Sequence, residues 1–116
     1  MVVGLENEKT TDLLFHALSD STRRDIIVRA MVDDYSVSGL ADFYAMSFAA
    51  VQKHVAVLER AGLITKHRRG REQLVRSNKD TIRTAYGLLE DMEKLWRERI
   101  DRMGEILAEP EEGEDK

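Results

Sequence analysis

Hydrophobic residues recur at helical spacing through residues 47–61, and this segment predicts an amphipathic helix. Its apolar positions are separated by three, four and three residues along one face: Phe48, Val51, Val55 and Leu58. Ser47 is suited to begin the helix, because its hydroxyl can accept a hydrogen bond from a free amide of the first turn. Gly62 is suited to follow its end, because glycine enters the left-handed conformation at low cost. The opposite face carries Ala49, Gln52, Lys53 and Ala56, a combination of small and polar side chains that suits close approach to a groove.

After Gly62 the pattern changes from helical spacing to that of strands. Residues 63–66 and 72–76 can pair across a turn centred on residues 69–70, which predicts a β-hairpin over residues 64–76. Basic and histidine side chains crowd this turn: Lys66, His67, Arg68, Arg69 and Arg71.

Three shorter helices are predicted before residue 47. The first begins at Thr10 and has an apolar face made of Leu13, Leu14, Ala17 and Leu18. The second follows a cap at Ser19 or Asp20 and is expected to bury Ile26, Ile27, Ala30 and Met31. The third spans residues 37–44 after a cap at Ser36, and a short turn joins it to the 47–61 helix. A tight turn between two helices, the second with a small polar face, is the helix-turn-helix arrangement.

A long amphipathic helix is predicted after a cap at Asn78, over residues 79–107. Its apolar stripe is too wide and too long for one small domain to cover, and an exposed patch of this size usually marks an interface. Glu and Arg alternate beside the stripe, as expected along a seam between helices. We therefore expect a homodimer whose interface is formed by this helix and the first helix. The predicted interface residues are Leu13, Leu14, Ala17, Leu88, Leu89, Met92, Leu95, Trp96, Ile100 and Met103. The alternative is that the stripe folds back on the core of its own chain.

Both ends of the sequence are predicted to be unstructured. Residues 1–9 precede the first helical pattern and are expected to be flexible. Pro110 is expected to stop the long helix, because proline lacks an amide N–H and clashes with the preceding turn. Residues 108–116 are acidic and are expected to be disordered. One domain, residues 10–107, accounts for the rest: mostly α, with a small β-hairpin.

The charge of the chain is unevenly distributed. The formal net charge is −4, whereas residues 47–76 hold seven Lys or Arg and two acidic residues, a local net charge of +5. A basic element on an acidic body indicates a local nucleic-acid contact rather than general adhesion. The alternative is a solvated helix and hairpin whose charges form salt bridges, and the ordered succession of cap, helix, glycine and basic hairpin argues against it.

Composition excludes several kinds of site. The chain has no Cys, which excludes disulfides and thiolate metal sites, and its His residues at 16, 54 and 67 lack metal-ligand spacing. We expect neither a metal nor a cofactor. No paired carboxylates lie near a His and no Gly-rich phosphate loop is present, so we do not expect an enzyme. No apolar run approaches the length of a membrane span, and the N-terminus lacks a signal-peptide pattern. A cytoplasmic protein is therefore expected.

Several short motifs in this order resemble the ArsR family of bacterial winged helix-turn-helix repressors, over about residues 10–77. Residues 17–23 (ALSDSTR) resemble the family's A-L-x-D-P-T-R opening, with Ser21 where proline is usual. Residues 47–64 (SFAAVQKHVAVLERAGLI) resemble its S-x-x-x-V-S-x-H-L-x-x-L-x-x-A-G-L-V helix, with Gln52 in place of a common Ser and Val55 in place of Leu. Residues 68–71 (RRGR) match its basic wing tip.

The resemblance implies a dimeric repressor that releases DNA on sensing a ligand, often a metal. The family's best-known metal site is a Cys-Val-Cys on the third helix, and the matching Ser36, Val37 and Ser38 cannot supply thiolates. Another family site uses Asp and His pairs on the last helix, where this chain has Asp91 and Glu93 but no His. We therefore interpret the chain as a non-metal-sensing member. The inducer stays open: an unknown small molecule, or none.

The helix face and the resemblance place the same residues at DNA. In the major groove we expect Ser47, Ala49, Ala50, Gln52 and Lys53, with His54 at the edge of this face. Gln52 can pair bidentately with an adenine, and Lys53 can donate to a guanine or a phosphate. Against the adjacent minor groove or its phosphates we expect Arg68, Arg69 and Arg71. Weaker candidates for the DNA backbone are Arg23, Arg24, Lys66 and His67, of which Arg23 and Arg24 could equally form surface salt bridges. For His54, a packed and hydrogen-bonded histidine is favoured over a base contact.

The predicted function is a sequence-specific double-stranded DNA-binding transcriptional regulator. A dimeric repressor is expected to read an inverted repeat through the helix at residues 47–61 and the wing at residues 64–76. The alternative is a winged-helix module that binds protein or RNA with little specific DNA binding. A protein-binding module would not need five basic or histidine side chains around one turn. The RNA alternative stays open, because neutralising phosphates does not separate RNA from DNA.

Overall fold

The computed structural model describes the backbone of residues 5–114 and the side chains of residues 8–108. The elements in chain order are α1 (Leu5–Leu18), α2 (Ser21–Val32), β1 (Tyr35–Ser36), α3 (Val37–Ala41), α4 (Phe48–Arg60), β2 (Ile64–Arg69), β3 (Glu72–Ser77) and α5 (Lys79–Glu114). The chain divides into two compact units, Met1–Ile82 and Arg83–Lys116. The first unit holds α1 to α4, the strands and the first four residues of α5, and the second holds the remainder of α5.

Polar side chains satisfy free amides at the start of four helices. The side-chain oxygens of Asp20, Ser36 and Ser47 each accept from the amide three residues later, at 3.0–3.1 Å. Asn78 Oδ1 accepts from the amide of Asp80 at 3.1 Å, just before α5. All four predicted caps are confirmed, and Asp20 rather than Ser19 caps the second helix.

Gly62 ends α4 through a pair of backbone hydrogen bonds. Its φ is +77°, in the left-handed region. The Gly62 amide donates to Glu59 O at 3.0 Å, and the Leu63 amide donates to Leu58 O at 3.0 Å. These two bonds form the Schellman arrangement, which satisfies carbonyls that the end of a helix leaves free. The predicted glycine stop is thereby confirmed, and the chain turns directly into β2.

The core of the first unit lies between its helices and the sheet. Its fully buried large side chains are Ile26, Leu40, Val51, Val55, Leu58, Leu63, Ile64 and Val75. Leu14 and Ala17 of α1 are only 2% and 0% exposed. They therefore belong to the core of the protomer, which contradicts their predicted place at a dimer interface. Leu13, 38% exposed, is the one residue of the predicted α1 set that presents a substantial surface.

The three strands form an antiparallel sheet in the order β1-β3-β2. The predicted hairpin is confirmed: β2 and β3 pair from Ile64 opposite Ser77 to Arg69 opposite Glu72. Gly70, at φ +63°, lies in the turn between them. Strand β1 was not predicted, because residues 33–36 have the polar composition of a loop. Its two residues become a strand only by pairing with β3, Tyr35 opposite Val75 and Ser36 opposite Leu74.

Some element boundaries differ from the prediction. Helix α1 begins at Leu5 rather than at the predicted Thr10, and residues 1–4 lie outside the described residues. Helix α3 ends at Ala41 instead of residue 44, because residues 42–46 form the turns that lead into α4. Met31, expected in the core, is 56% exposed near the end of α2.

Helix α5 continues to Glu114, past the predicted stop at Pro110. The prediction that proline ends this helix is wrong, whereas the predicted disorder of the acidic tail stays a prediction. Proline's fixed φ is compatible with a helix, so the backbone can continue with the loss of one amide hydrogen bond. Residues 115 and 116 lie outside the described residues.

The second unit carries the apolar stripe of α5 on its surface. Nine of its large apolar side chains are between 47% and 73% exposed: Tyr86, Leu89, Met92, Leu95, Trp96, Ile100, Met103, Ile106 and Leu107. Leu88, also predicted at the interface, is half-buried. An i,i+4 ion pair between Arg97 and Glu93, 2.9 Å long, lies beside this stripe. The helix thus has the exposed apolar face that the sequence pattern indicates.

Candidate nucleic-acid interface

Helix α4 turns its apolar stripe inward and a small polar face outward. Val51, Val55 and Leu58 are buried, whereas Gln52 and Lys53 are exposed. Ala49 is exposed beside them and Ala50 is half-buried. Among the residues whose side chains are described, Gln52 and Lys53 form no hydrogen bond or ion pair. Their polar groups are therefore available to a ligand.

Ser47 stands at the start of this helix with its oxygen already engaged. Its Oγ accepts from the Ala50 amide at 3.1 Å, which fixes the first turn of α4. The hydroxyl proton is not used by that bond, so Ser47 can still donate to a phosphate or a base while it caps the helix.

The wing tip carries three exposed arginines in different settings. Arg68 donates through Nε to Gly70 O at 3.2 Å, which folds it over the turn. Arg69 lies opposite Glu72 in the strand register, and Arg71 follows Gly70 in the turn. Because successive strand residues point to opposite faces, Arg68 and Arg69 leave the hairpin on different sides. The wing can therefore place cations on both of its surfaces.

Lys66 and His67, the weaker wing candidates, already have partners within the protomer. Lys66 Nζ lies 3.4 Å from Glu59 Oε1, an ion pair that joins β2 to α4. His67 Nε2 lies 2.8 Å from Thr65 Oγ1 on the same strand. Both pairs are at the surface, so they can exchange for other partners at low cost.

A cleft of about 280 Å³ separates the start of α4 from the wing. Residues 36–38 line it on one side, and Phe48 and Gln52 of α4 line it beside them. The wing contributes Lys66, Arg71, Glu72 and Gln73. The helix face and the wing, predicted separately from the sequence, thus border one shared depression.

Arg23 lies inside the protomer, not at its surface. It is 8% exposed and donates to Ala17 O at 2.8 Å and to His16 O at 2.9 Å. These carbonyls belong to the last turn of α1, where a cation is electrostatically favoured. Neither the phosphate contact nor the surface salt bridge expected for Arg23 agrees with this position. Arg23 instead holds the end of α1 against the start of α2.

His54 is the third partner of Arg23. Its Nδ1 lies 3.2 Å from Arg23 Nη1, and since a guanidinium can only donate, Nδ1 is the acceptor. His54 is half-buried. The packed, hydrogen-bonded histidine favoured by the sequence is the one observed, and its inclusion among the predicted base contacts loses support. Arg24 is exposed and donates through Nη1 to Leu18 O at 2.7 Å, which leaves its other N–H groups able to approach a phosphate.

A cluster that the sequence interpretation missed holds the turn before α4. The Tyr44 hydroxyl donates to Asp25 Oδ2 at 2.6 Å, and Arg29 Nε donates to the same oxygen at 2.8 Å. The Arg29 guanidinium stacks 3.7 Å from the centre of the Phe43 ring, which in turn meets the Tyr35 ring edge-on. The i,i+4 spacing of Asp25 and Arg29 is visible in the sequence, but their convergence with residues 43 and 44 depends on the tertiary fold.

These hydrogen bonds shift the titration of the groups in the cluster. The bond from Tyr44, followed by the bond from Arg29, lowers the pKa of the Asp25 carboxyl below its usual value. Burial first, and then the bond to Asp25, raise the pKa of the Tyr44 hydroxyl to about 12. Asp25 is therefore held as a carboxylate that fixes the turn leading into α4.

Some of the cations in residues 47–76 are paired with acidic side chains in the folded protein, and others are not. Arg76 pairs with Asp34 at 3.3 Å, and Lys66 pairs with Glu59. In the described part of the chain the other cations of this segment form no ion pair: Lys53, Arg60, Arg68, Arg69 and Arg71. Arg60 was not among the predicted contacts, although its place on the outward side of α4 could have suggested it. The outer side of α4 and the wing tip thus keep positive charge available.

Over the described residues, no cluster of three or more His, Asp or Glu has the arrangement needed to hold a metal ion. Within that same part of the chain, none of the helices combines the length and the apolar character required to cross a membrane.

Comparison with known proteins identifies structures of the same fold. An ArsR-like transcriptional regulator from Rhodococcus sp. RHA1 superposes with a TM-score of 0.80 at 27% identity, over 91% of this chain and 97% of that one. A second ArsR family transcriptional regulator gives a TM-score of 0.72 at 29% identity, over 78% of this chain and 93% of that one. A homodimeric winged helix-turn-helix DNA-binding domain from Mycobacterium bovis gives 0.63 at 18% identity, over 77% of this chain and 83% of that one. No protein-family model and no curated protein matches the sequence.

These neighbours are transcriptional regulators rather than enzymes, in agreement with the expectation that this chain is not an enzyme. The helix-turn-helix is α3 and α4, the wing is β2 and β3, and the order of elements matches the family resemblance carried by residues 17–23, 47–64 and 68–71. The chain therefore has the fold of the ArsR-family winged helix-turn-helix transcriptional regulators, as its sequence motifs predicted.

Proposed function

We propose that this protein is a sequence-specific double-stranded DNA-binding transcriptional regulator that acts as a dimeric repressor. The observation that carries the proposal is the outward face of α4, on which Gln52 and Lys53 are exposed without partners in the described part of the chain. The wing borders the cleft beside the start of α4. Its Arg69 and Arg71 form no ion pair in the described part of the chain. Regulators of this fold are among the structural neighbours.

The proposed mode of binding follows from the shape of α4. An α-helix fits the major groove, and the residues at its N-terminal end reach the base edges. Gln52 would pair with an adenine through its amide, and Ala49 or Ala50 would contact a thymine methyl group. Lys53 would donate to a guanine or a phosphate, and Ser47 to a phosphate. Arg68, Arg69 and Arg71 would lie against the adjacent minor groove or its phosphates; a narrow A·T-rich groove attracts arginine.

The proposed dimer uses the exposed stripe of α5. A continuous apolar face of this length is a typical association surface, and one structural neighbour, the domain from Mycobacterium bovis, is homodimeric. In the proposed interface Leu13 of α1 accompanies the α5 residues Leu88, Leu89, Met92, Leu95, Trp96, Ile100 and Met103. A two-fold dimer would place two α4 helices about 34 Å apart, or a multiple of that distance, so the operator would be an inverted repeat. Repression would follow if the operator overlaps a promoter.

Fluorescence anisotropy tests the proposal directly. A labelled duplex from the region upstream of the protein's own gene is titrated at two salt concentrations, beside a scrambled duplex and an RNA of matching sequence. We expect the upstream duplex to bind at least about 100-fold more tightly than the scrambled one, with strong salt dependence. Four to five cations on phosphates in each protomer would give a slope of log affinity against log salt of about −7 to −9.

Equal binding to all three nucleic acids would contradict autoregulation through this duplex. Selection from a random duplex pool then separates the remaining cases. Enrichment of an inverted repeat would support a regulator whose operator lies elsewhere. Preferential binding of RNA, or no enrichment at all, would favour an RNA-binding or protein-binding winged helix instead.

A further inference from the structure

Phe48 is exposed where the helical pattern predicts a core residue. It lies three residues before Val51 on the same stripe, yet it is 47% exposed whereas Val51 is fully buried. Phe48 is the first residue of α4, directly after the Ser47 cap, so it stands at the end of the helix that approaches the base edges. Within the described part of the chain its ring makes no contact with another aromatic ring or a cation. Nearly half of this large aromatic side chain thus stays open to solvent in the protomer.

The surroundings of Phe48 are polar and contain cations. It lines the cleft between α4 and the wing together with Ser38, Gln52, Arg71 and Gln73. Gln52 follows Phe48 by four residues, and side chains at this spacing are neighbours on a helix surface, about 5–6 Å apart at Cβ. The cleft therefore holds an apolar ring, an amide that can pair with a base and a cation that can neutralise a phosphate, with the carboxylate of Glu72 also on its wing side.

We propose that Phe48 is a specificity-determining residue that contacts the 5-methyl group of a thymine in each operator half-site. In the major groove this methyl group distinguishes a T·A pair from the other base pairs, and phenylalanine is one of the side chains that contact it. The thymine lies in the base pair next to the one whose adenine pairs with Gln52, because the two side chains are adjacent on the helix. This inference rests on the proposed DNA-binding function and adds a second methyl contact to the one proposed for Ala49 or Ala50.

The experiment removes only the methyl group. Duplexes selected by the full chain from a random pool supply the operator, and each thymine of the half-site is then replaced in turn by deoxyuridine. For the wild-type protein we expect deoxyuridine to weaken binding about fourfold at the thymine next to the base pair read by Gln52, the effect of leaving one methyl group unburied; a thymine that responds equally in the wild type and in Phe48→Ala belongs to Ala49 or Ala50. Replacement in both half-sites should multiply the loss to roughly 15-fold.

Three variants separate the ring from the rest of the surface. Phe48→Ala should bind the thymine and deoxyuridine duplexes equally at that position, whereas Phe48→Leu should keep part of the preference because it retains an apolar side chain. Val32→Ala, a truncation of an apolar residue even more exposed on α2, should keep the full preference. Thermal unfolding of each variant shows whether it is folded under the binding conditions.

The outcomes distinguish this inference from the proposed function. If the pool yields an operator but no deoxyuridine replacement weakens wild-type binding, the Phe48 contact is overturned and the DNA-binding function stands, whatever the variants do. An unchanged preference in folded Phe48→Ala would overturn the contact in the same way. A pool that yields no enriched sequence would overturn the proposed function itself, and the Phe48 contact with it.

Discussion

Gln52 is the residue on which the proposed sequence reading by α4 would most depend. Its amide is exposed and free of partners in the described part of the chain, and it is the one group on the outer face that can bond an adenine in two places. We expect Gln52→Ala to cost about 1–3 kcal/mol of binding free energy at particular base pairs of the operator.

The matched comparison for Gln52→Ala is Arg69→Ala at the wing tip. It should weaken cognate and random duplexes about equally and flatten the salt dependence, because a phosphate contact carries no sequence information. Both are measured by anisotropy on cognate, single-base-changed and random duplexes. Equal losses on cognate and random DNA for Gln52→Ala would remove its proposed base-reading role.

Arg23 is expected to matter for stability rather than for DNA. Its guanidinium is buried and donates to two carbonyls of α1 and to His54 of α4. Arg23→Ala removes the Arg23 bonds to Ala17 O and His54 Nδ1, whereas His16 O keeps its bonds from the Ser19 amide and hydroxyl. We expect a loss of about 2–3 kcal/mol in the free energy of unfolding. Arg24→Ala, which removes one exposed hydrogen bond from the same turn, should cost about 0.5–1 kcal/mol. Urea denaturation measures both, and losses of the same size would mean that burial of Arg23 does not decide its contribution.

Asp25 should make stability depend on pH on the acid side. Its pKa is lower in the folded protein than its usual value of 3.8, because Tyr44 and Arg29 donate to the carboxylate. The stabilisation is therefore fully present above the unfolded pKa and is lost as pH falls through the folded one. We expect the difference in unfolding free energy between the wild type and Asp25→Asn to shrink as pH falls below about 4.

The control for Asp25→Asn is Asp42→Asn, which removes a carboxylate that forms no hydrogen bond among the described residues. A difference between the wild type and Asp25→Asn that stays constant between neutral pH and about pH 3 would contradict the assigned role.

At the scale of elements, two glycines are expected to respond oppositely to substitution by alanine. One has a backbone conformation that favours glycine, and the other lies within a helix, where alanine is the better helix former. Gly62 has φ +77°, and a Cβ there would meet the Thr81 side chain only at ordinary contact distance, so its cost is conformational. We expect Gly62→Ala to destabilise the protein by about 1–2 kcal/mol. Gly87 lies within α5 with no atom within 4 Å of an added Cβ, so Gly87→Ala should stabilise by about 0.5–1 kcal/mol. Urea denaturation gives both values, and a destabilising Gly87→Ala would show that this face of α5 lacks room for a methyl group.

Local signals explain which elements the sequence could predict. A cap such as Ser47 and a helix stop such as Gly62 act within a few residues. The two strands predicted over residues 64–76 likewise lie within one hairpin, so the sequence pattern could predict all of these features. Strand β1 was not, because two residues form a strand only through their pairing with β3. The burial of Phe48 was likewise not predicted correctly. The helical period places it on the buried face of α4, but the end of that face extends beyond the neighbouring elements and leaves the ring exposed.

For the whole molecule, the exposed stripe of α5 predicts dependence on self-association. Trp96 lies within the stripe and is exposed in the protomer. Trp96→Glu would place a charge in the proposed seam, and we expect sedimentation to show monomers at concentrations where the wild type is dimeric. DNA affinity should fall with it, because each half-site would then be bound alone.

The control for Trp96→Glu is Lys94→Glu, which introduces a glutamate two positions earlier on the polar side of α5. It should leave the dimer intact. A Trp96→Glu protein that still sediments as a dimer would place the interface elsewhere.

The sequence predicted the separate surfaces of the candidate site, but not how they come together in the folded chain. The outward residues of α4 and the basic wing tip were recognised from spacing and charge. Their meeting at one cleft, and the withdrawal of Arg23 and His54 into the protomer, depend on contacts between residues far apart in the sequence. Long-range contacts of this kind leave no periodic signal, which is why an arginine next to a helix start was mistaken for a phosphate ligand.

In the proposed complex with DNA, the junction after α4 would determine the length of an operator half-site. The Leu63 amide bonds to the last turn of α4, and Leu63 O accepts from the Asn78 amide at 2.9 Å, so both strands of the wing are anchored at the end of the helix. Such a junction leaves little freedom for the wing to shift along the groove relative to α4. A base pair inserted between the sequence that the helix reads and the segment under the wing would therefore not be absorbed by bending of the protein. Within a half-site, insertions should be as damaging as mismatches.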